Sequence, residues 1–334
     1  MNLPRRVQDV AGNHQLIGLF RKGRLPQSSL FVGPEGVGKK TTALLIAAQV
    51  NCKGLVGNDL CGNCSSCLKA RSGNHPDILL FQTDQLTISI EEMRRLSREA
   101  QYRPFEGKLR FLVIDQAEKM SEEAANSILK TLEEPPETTR IVLVTAFPQR
   151  LLPTIRSRCQ AFTFQRLKRD EIVSYLRENT QLSDVELRAS FAEGSLGAAI
   201  DLDIGETLTK RNLMLDFLDS WLKSPRFESV FQQCESSPLS GHLKKRDQVR
   251  HYLGLLQTLC YDVYFLLIGA EERLVNKDRM DALLGISRTV SLEQIRDLLY
   301  HIAEAQRDVD RYVNPLICFE TLWLGLAGYG KGRC

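Results

Sequence analysis

Long apolar runs are missing from this 334-residue sequence. No stretch approaches the ~18 apolar residues that a membrane-spanning helix needs, so we expect no association with a membrane. The first ten residues, MNLPRRVQDV, carry charge but no apolar core, which argues against a secretory signal. Low-complexity tracts and internal repeats are also lacking. These absences predict a cytoplasmic protein built from packed domains.

A strong charge of one sign is lacking as well. The formal net charge is +3 and aromatic residues make up 7% of the chain, so the composition does not indicate a nucleic-acid-binding protein. The charge is unevenly distributed, because residues 1–166 have a balance of +7 and the remainder a balance of −4. This asymmetry fits different partners for the two parts, and it equally fits an ordinary solvated surface.

The pattern of apolar residues divides the chain into parts. Strands are predicted at 28–33, 75–81, 109–115, 140–146 and 161–165, and helices at 41–50, 89–101 and 121–134. Ser89 with Glu92 has the spacing of a capping box. This alternation predicts an α/β domain with a doubly wound parallel sheet over 1–166. The helical patterns that follow predict a small helical domain over 167–205 and a helical bundle over 206–334.

A phosphate-binding loop is indicated by GPEGVGKKT at residues 33–41, which follows a predicted strand and precedes a predicted helix. Backbone N–H groups of such a loop, together with the helix N-terminus, surround phosphate oxygens. A Walker B candidate, FLVIDQAEKM, places Asp115 at the end of an apolar strand, where a carboxylate can face Mg²⁺. The predicted nucleotide-binding residues of these two motifs are Gly33, Gly36, Gly38, Lys39, Lys40, Thr41 and Asp115.

Two positions depart from a working ATPase. Lys40 stands where a Ser or Thr hydroxyl normally ligates Mg²⁺, and Thr41 comes about 100° further around the helix. Gln116 stands where most such ATPases have the glutamate that activates water, and an amide cannot accept a proton at neutral pH. Binding of ATP without efficient hydrolysis is one interpretation. A degenerate loop that binds nothing is the other.

Four of the nine cysteines lie within sixteen positions and have the spacing C-x8-C-x2-C-x2-C. In a cytoplasmic chain, clustered cysteines favour a metal over disulfides. Four thiolates suit a closed, tetrahedral, structural Zn²⁺ site, and four free surface thiols are the alternative. The predicted ligands are Cys52, Cys61, Cys64 and Cys67.

Further motifs accompany these: HPD at 75–77, ILKTLEEPPETT at 128–139, TIRSRC at 154–159, FAEGSLGAA at 191–199 and RYVNPLICFETLWL at 311–324. As a set they resemble the clamp-loader branch of the AAA+ ATPases, and within it the bacterial delta-prime family. The resemblance covers nearly the whole chain. It implies that the first two domains form an AAA+ module with a helical lid, and that the third is a collar that assembles a hetero-oligomer.

The resemblance also implies roles and partners. The expected partners are the gamma/tau and delta subunits, with the sliding clamp and primed DNA reached through the complex. Arg158, in the Ser-Arg-Cys motif, corresponds to an arginine finger that acts on ATP bound by a neighbouring subunit. Thr145 corresponds to a sensor near the γ-phosphate, and Gly197 stands where the ATPase subunits have a second sensor, an arginine. We therefore expect a subunit of the DNA polymerase III holoenzyme without efficient ATPase activity of its own.

Two other hypotheses stay open. The chain could be an active motor of the gamma/tau kind, although Lys40, Gln116 and Gly197 argue against this. It could also be a nucleic-acid-binding module built around the cysteines, although only Lys53, Lys69 and Arg71 supply basic charge there. No arrangement of carboxylates suggests a nucleotidyl-transfer site, so polymerase activity would belong to the holoenzyme.

Overall fold

The structure is a computed structural model that describes residues 25–55, 59–83, 85–223, 246–310, 313–314, 317–318 and 321–323. The chain divides into two compact units, Met1–Asp201 and Leu202–Cys334. Within the described residues, no helix has the length and apolar character required to cross a bilayer.

A parallel sheet of five strands forms the centre of the first unit. The strand order is β2-β3-β4-β1-β5, which confirms the predicted α/β architecture. The strands are β1 Ser28–Val32, β2 Ile78–Phe81, β3 Arg110–Ile114, β4 Thr139–Thr145 and β5 Gln160–Thr163. Because all strands are parallel, their carboxyl ends meet at one edge of the sheet, where ligands bind in such folds.

Helices cover both faces of this sheet. The helices of the first unit are α1 Lys39–Asn51, α2 Ser65–Ser72, α3 Ile90–Gln101, α4 Glu122–Ser127, α5 Leu129–Glu133, α6 Pro153–Arg156, α7 Arg169–Asn179, α8 Val185–Phe191 and α9 Leu196–Asp201, and the last three form an adjoining lid. Successive strand residues face opposite sides. Phe111 and Val113 therefore join one buried apolar cluster with α1, while Leu112 and Ile114 join a second cluster with α3 and α4. A third cluster, around Ile172 and Leu176, lies among α7, α8 and α9.

One predicted helix start agrees with the structure, and one predicted helix is divided in two. Ser89 accepts a hydrogen bond from the N–H of Glu92, whose carboxylate accepts one from the N–H of Ser89, so the predicted capping box is confirmed. The single helix predicted at 121–134 is wrong, because it is broken at Ile128 into α4 and α5. The Ser127 hydroxyl donates to the carbonyl of Ala124, a side-chain bond of the kind that competes with helix geometry.

All secondary-structure elements described in the second unit are helices, joined by turns and short loops. Its long helices are α10 Ile204–Lys223, α11 Arg246–Leu267, α12 Met280–Ser287 and α13 Leu292–Asp310. Half of the motif at 311–324 falls outside the described residues. The predicted division of the first unit near residue 166 stays a prediction.

Candidate nucleotide cleft and cysteine knuckle

The glycine-rich loop lies at the carboxyl edge of the sheet, directly after β1. The N–H of Gly33 donates to the carbonyl of Thr145 across 3.3 Å, which joins the start of the loop to the end of β4. A cleft of about 640 Å³ opens beside the loop. Seven of the eight predicted nucleotide-binding residues line this cleft, and only Gly33 does not; they are Gly36, Gly38, Lys39, Lys40, Thr41, Asp115 and Thr145.

Lys39 is buried against its own loop. Its Nζ donates to the carbonyl oxygens of Gly33 at 2.6 Å and Pro34 at 2.5 Å. Burial lowers the pKa of Lys39, while the negative charges of Glu118, Glu35 and Asp115 oppose this shift. Two of the three N–H donors of the ammonium group are therefore used by the loop, and the third is left for a phosphate oxygen.

Lys40 forms an ion pair with the Walker B aspartate. Its Nζ lies 2.9 Å from Oδ2 of Asp115 and 3.3 Å from Oε1 of Gln82. An ammonium group therefore contacts the carboxylate that, in working P-loop ATPases, faces Mg²⁺. The sequence showed that Lys40 was the wrong residue for a magnesium ligand, but this contact is known only from the structure.

Glu118 is a residue of the cleft that the sequence reasoning missed. Its Oε1 accepts a hydrogen bond from the N–H of Ala146, and its buried Oε2 has no hydrogen-bond partner among the described residues. Gln116 is exposed at the cleft and has a left-handed backbone, with φ of 52°. In the sequence, Glu118 could have been identified as a second acidic residue three positions after Asp115, close to the end of the Walker B strand.

The lid helices reach the loop directly. The N–H of Gly197, in α9, donates to the carbonyl of Gly36 at 3.0 Å. A Cβ atom at Gly197 would lie 3.2 Å from the Cα of Gly36, so an arginine at this position would press on the loop backbone. The close contact with Gly36 therefore favours glycine at this position.

Replacing Gly36 by alanine is expected to lower the free energy of unfolding by about 2–3 kcal/mol. Gly36 has φ of +71°, and an added Cβ would lie 2.0 Å from the Ser195 hydroxyl. That hydroxyl would have to move and would lose its bond from the N–H of Ala198. Urea denaturation followed by circular dichroism measures the change.

The matched control is Gly38→Ala. Gly38 has φ of +88°, but nothing lies within 4 Å of an added Cβ, so only backbone strain of about 1–2 kcal/mol is expected. Equal losses in the two variants would contradict the contact between loop and lid.

Arg158 lies outside this cleft, between α6 and β5. Its Nε is 3.1 Å from Oε2 of Glu133, and its Nη1 donates to the carbonyl of Thr154 at 3.1 Å. Its side chain keeps about a third of its surface exposed, 31%. Arg158 is not among the residues that line the nucleotide cleft of its own chain.

The four predicted metal ligands come together in the segment 52–67, called here the cysteine knuckle. Their Sγ atoms all lie within 4.8 Å of one another, and the Cys52–Cys61, Cys61–Cys67 and Cys52–Cys67 distances are 3.6, 3.8 and 3.5 Å. Sulfur atoms bound to one tetrahedral ion at about 2.3 Å would lie about 3.8 Å apart. The residues therefore fit a metal ion held by four thiolates.

Backbone N–H groups favour thiolates at Cys61 and Cys64, whereas burial raises the pKa of Cys67. Burial opposes ionisation of Cys64, but N–H groups of Lys53 and Cys67 lower the pKa of this thiol to about 6. The N–H groups of Asn63 and Cys64 likewise lower the pKa of Cys61. Thiolates are the form that binds metals.

A buried polar network connects the knuckle to the sheet. The side chain of Asp77 accepts hydrogen bonds from the N–H groups of Phe105, Glu106 and Gly107 at 2.6, 2.9 and 2.7 Å, and it also lies 3.2 Å from Arg110. Lys69, in α2 beside the knuckle, binds Glu106 at 2.7 Å. Asp77 of the HPD motif therefore holds the loop that packs beside the knuckle.

The sheet order, the glycine loop, the acidic residue after β3 and the adjoining helical lid together define an AAA+ P-loop domain. A family model described as DNA polymerase III, delta subunit, matches residues 11–168. DNA polymerase III subunit delta' of Bacillus subtilis is 30% identical over 313 residues, which cover 93% of this chain and 94% of that protein. The chain therefore belongs to the delta-prime family of DNA polymerase III clamp-loader subunits.

Other relatives match a smaller part of the chain. DNA polymerase III subunit tau/gamma of Haemophilus influenzae is 34% identical over 210 residues, which cover 60% of this chain and 30% of that protein. Among solved structures, a gamma-subunit-related protein from Thermotoga maritima is 19% identical, with a TM-score of 0.42 over 94% of this chain and 98% of that one. A superposition of that quality has no bearing on function.

Proposed function

We propose that this chain is a delta-prime-like stator of the DNA polymerase III clamp loader. It assembles with gamma/tau and delta subunits, and it places Arg158 against ATP bound by a neighbouring subunit. The partner subunits hydrolyse ATP, and the complex loads the sliding clamp onto primed DNA during replication. The proposal extends the family assignment to specific residues and partners.

The position of Arg158 carries this proposal. The guanidinium is partly exposed, lies outside the cleft of its own chain and is held by Glu133, an ion pair that a neighbouring phosphate could replace. An arginine supplied by a neighbour stabilises the charge that develops on the transferred phosphoryl group. The ion pair between Lys40 and Asp115 supports the second part of the proposal, that the chain does not hydrolyse ATP itself.

A motor of the gamma/tau kind is the second candidate. One observation favours it: Glu118 brings a carboxylate into the cleft, two positions beyond the glutamine that replaces the usual catalytic glutamate. This candidate requires Lys39 to act on ATP in the cleft of this chain, whereas the stator requires Arg158 to act elsewhere. The two candidates therefore predict opposite results for two substitutions.

The test is the DNA-stimulated ATPase rate of a loader reconstituted with its partner subunits, clamp and primed DNA. Arg158→Ala is expected to remove the share of this rate that the site receiving the arginine contributes, because turnover at that site falls by about 10³ or more while any other sites keep their own. Lys39→Ala is expected to leave the rate near that of the unmodified chain. The opposite pattern would identify the chain as a motor.

Two controls make the result specific. Arg156→Ala removes an exposed arginine from the end of α6, two positions before Arg158, and is expected to have no effect. Arg158→Lys keeps the charge but loses the planar fork of donors, so it is expected to rescue little of the activity. Full rescue by lysine would mean that Arg158 serves only as a surface charge.

We also propose that the cysteine knuckle holds a structural Zn²⁺ ion. The distances between its sulfur atoms support this assignment, and four protein ligands leave no open position for catalysis.

A further inference from the structure

The ion pair in the nucleotide cleft lies where P-loop ATPases hold a metal. In those proteins the hydroxyl that follows the loop lysine and the Walker B aspartate hold Mg²⁺ against the phosphates. Here Lys40 and Asp115 occupy these two positions, and their charged atoms are 2.9 Å apart. The Lys40 ammonium also lies 3.3 Å from the amide oxygen of Gln82, which fixes it from a second side.

The residues at this position do not fit Mg²⁺. The ion demands six oxygen ligands at about 2.0–2.1 Å in octahedral geometry. A lysine ammonium offers three donors and no lone pair, so Lys40 cannot be a ligand. It also places a positive charge next to Asp115, the carboxylate that would have to bind the ion, and so repels a divalent cation there.

The Lys40 ammonium can bind the phosphates of a nucleotide that carries no Mg²⁺. It is 40% exposed at the wall of the cleft, so it can donate to a phosphate oxygen while keeping its contact with Asp115. Asp115 is thereby neutralised, and Lys39 offsets the nearby charge of Glu118. The remaining attraction for an anion comes from the N–H groups of the loop and the N-terminus of α1.

We propose that this cleft binds a nucleoside di- or triphosphate free of Mg²⁺, with the Lys40 ammonium in the place of the metal ion. A magnesium complex of the same nucleotide binds more weakly, because the bound ion meets the positive charge of Lys40. This inference requires that the cleft binds nucleotide. The proposed role of Arg158 does not require it, because Arg158 acts on ATP bound by a neighbouring subunit. Binding to the isolated chain and ATP turnover by the reconstituted loader are therefore independent readouts.

The test is a calorimetric titration of the purified full chain with ATP and with ADP, once in EDTA and once with excess Mg²⁺. The dissociation constant is expected to rise by about fivefold in Mg²⁺, the effect of one contact between like charges under water-like screening. Lys39→Ala is expected to weaken binding in both conditions. Tighter binding in Mg²⁺, or no heat of binding in either condition, would overturn the proposal.

Two variants of Lys40 distinguish the effect of removing the ammonium charge from the effect of supplying a hydroxyl ligand. Lys40→Thr recreates the usual G-K-T ending of the loop and frees Asp115, so binding is expected to become tighter with Mg²⁺ than in EDTA. Lys40→Met removes the charge without supplying a ligand, so it is expected to bind weakly in both conditions. A Lys40→Thr variant that keeps the preference of the unmodified chain for EDTA would show that Lys40 does not replace the ion.

Discussion

Cys67→Ser is expected to remove the metal from the knuckle and to cause the largest loss of stability of any single change considered for this chain. Structural Zn²⁺ sites contribute about 10–16 kcal/mol of apparent binding free energy in small peptides, and a site without its fourth thiolate loses most of this. Cys67 is fully buried and packs in the same apolar cluster as α1 and β3. Loss of the metal should therefore weaken the sheet domain as well as the knuckle.

Two measurements check this result. Elemental analysis is expected to find one zinc ion per unmodified chain and none in Cys67→Ser, and the thermal midpoint is expected to fall by at least about 10 °C. Cys159→Ser is the matched control, because Cys159 is also buried but belongs to the cluster on the other face of the sheet. A Cys67→Ser protein with unchanged zinc and midpoint would refute the metal site.

Asp77→Ala is expected to lower the free energy of unfolding by about 3–5 kcal/mol. The carboxylate is fully buried, and its removal would leave three backbone N–H groups and part of the Arg110 guanidinium without their acceptor. The loop at 105–107 would lose its attachment beside the knuckle. Urea denaturation measures the loss, and a change below about 1 kcal/mol would contradict this role.

Asp77→Asn tests the charge separately from the shape. Burial alone would raise the pKa of Asp77, but the three N–H donors outweigh it, so the pKa lies below its usual value. The stabilisation is therefore complete above the pKa of an unfolded aspartate, about 3.9, and is lost as the pH falls through the lower folded value. The unmodified chain is expected to exceed Asp77→Asn in stability at neutral pH, and this difference should shrink in acid.

The local motifs could be read from the sequence because each depends on neighbours along the chain. Apolar runs predicted the central strands β3 and β4, since strands of a parallel sheet covered on both faces are apolar almost throughout. The edge strand β5 is mostly exposed, and its predicted run was correspondingly short. The glycine loop and the cysteine spacing predicted their sites because a phosphate nest and a tetrahedral ion both require short, specific separations. Ser89 and Glu92 predicted a helix start for the same reason.

The sequence by itself therefore determined the sheet domain, the identity of the loop and the four cysteines that come together in the knuckle. The tertiary structure determined which side chains from distant segments meet: Lys40 with Asp115, Gly36 with Gly197, and Arg158 with Glu133. It also brought Glu118 into the cleft. Sequence patterns encode the periodicity of single elements, whereas these contacts depend on the order in which the strands pair and on how the lid packs, so they became visible only in the folded chain.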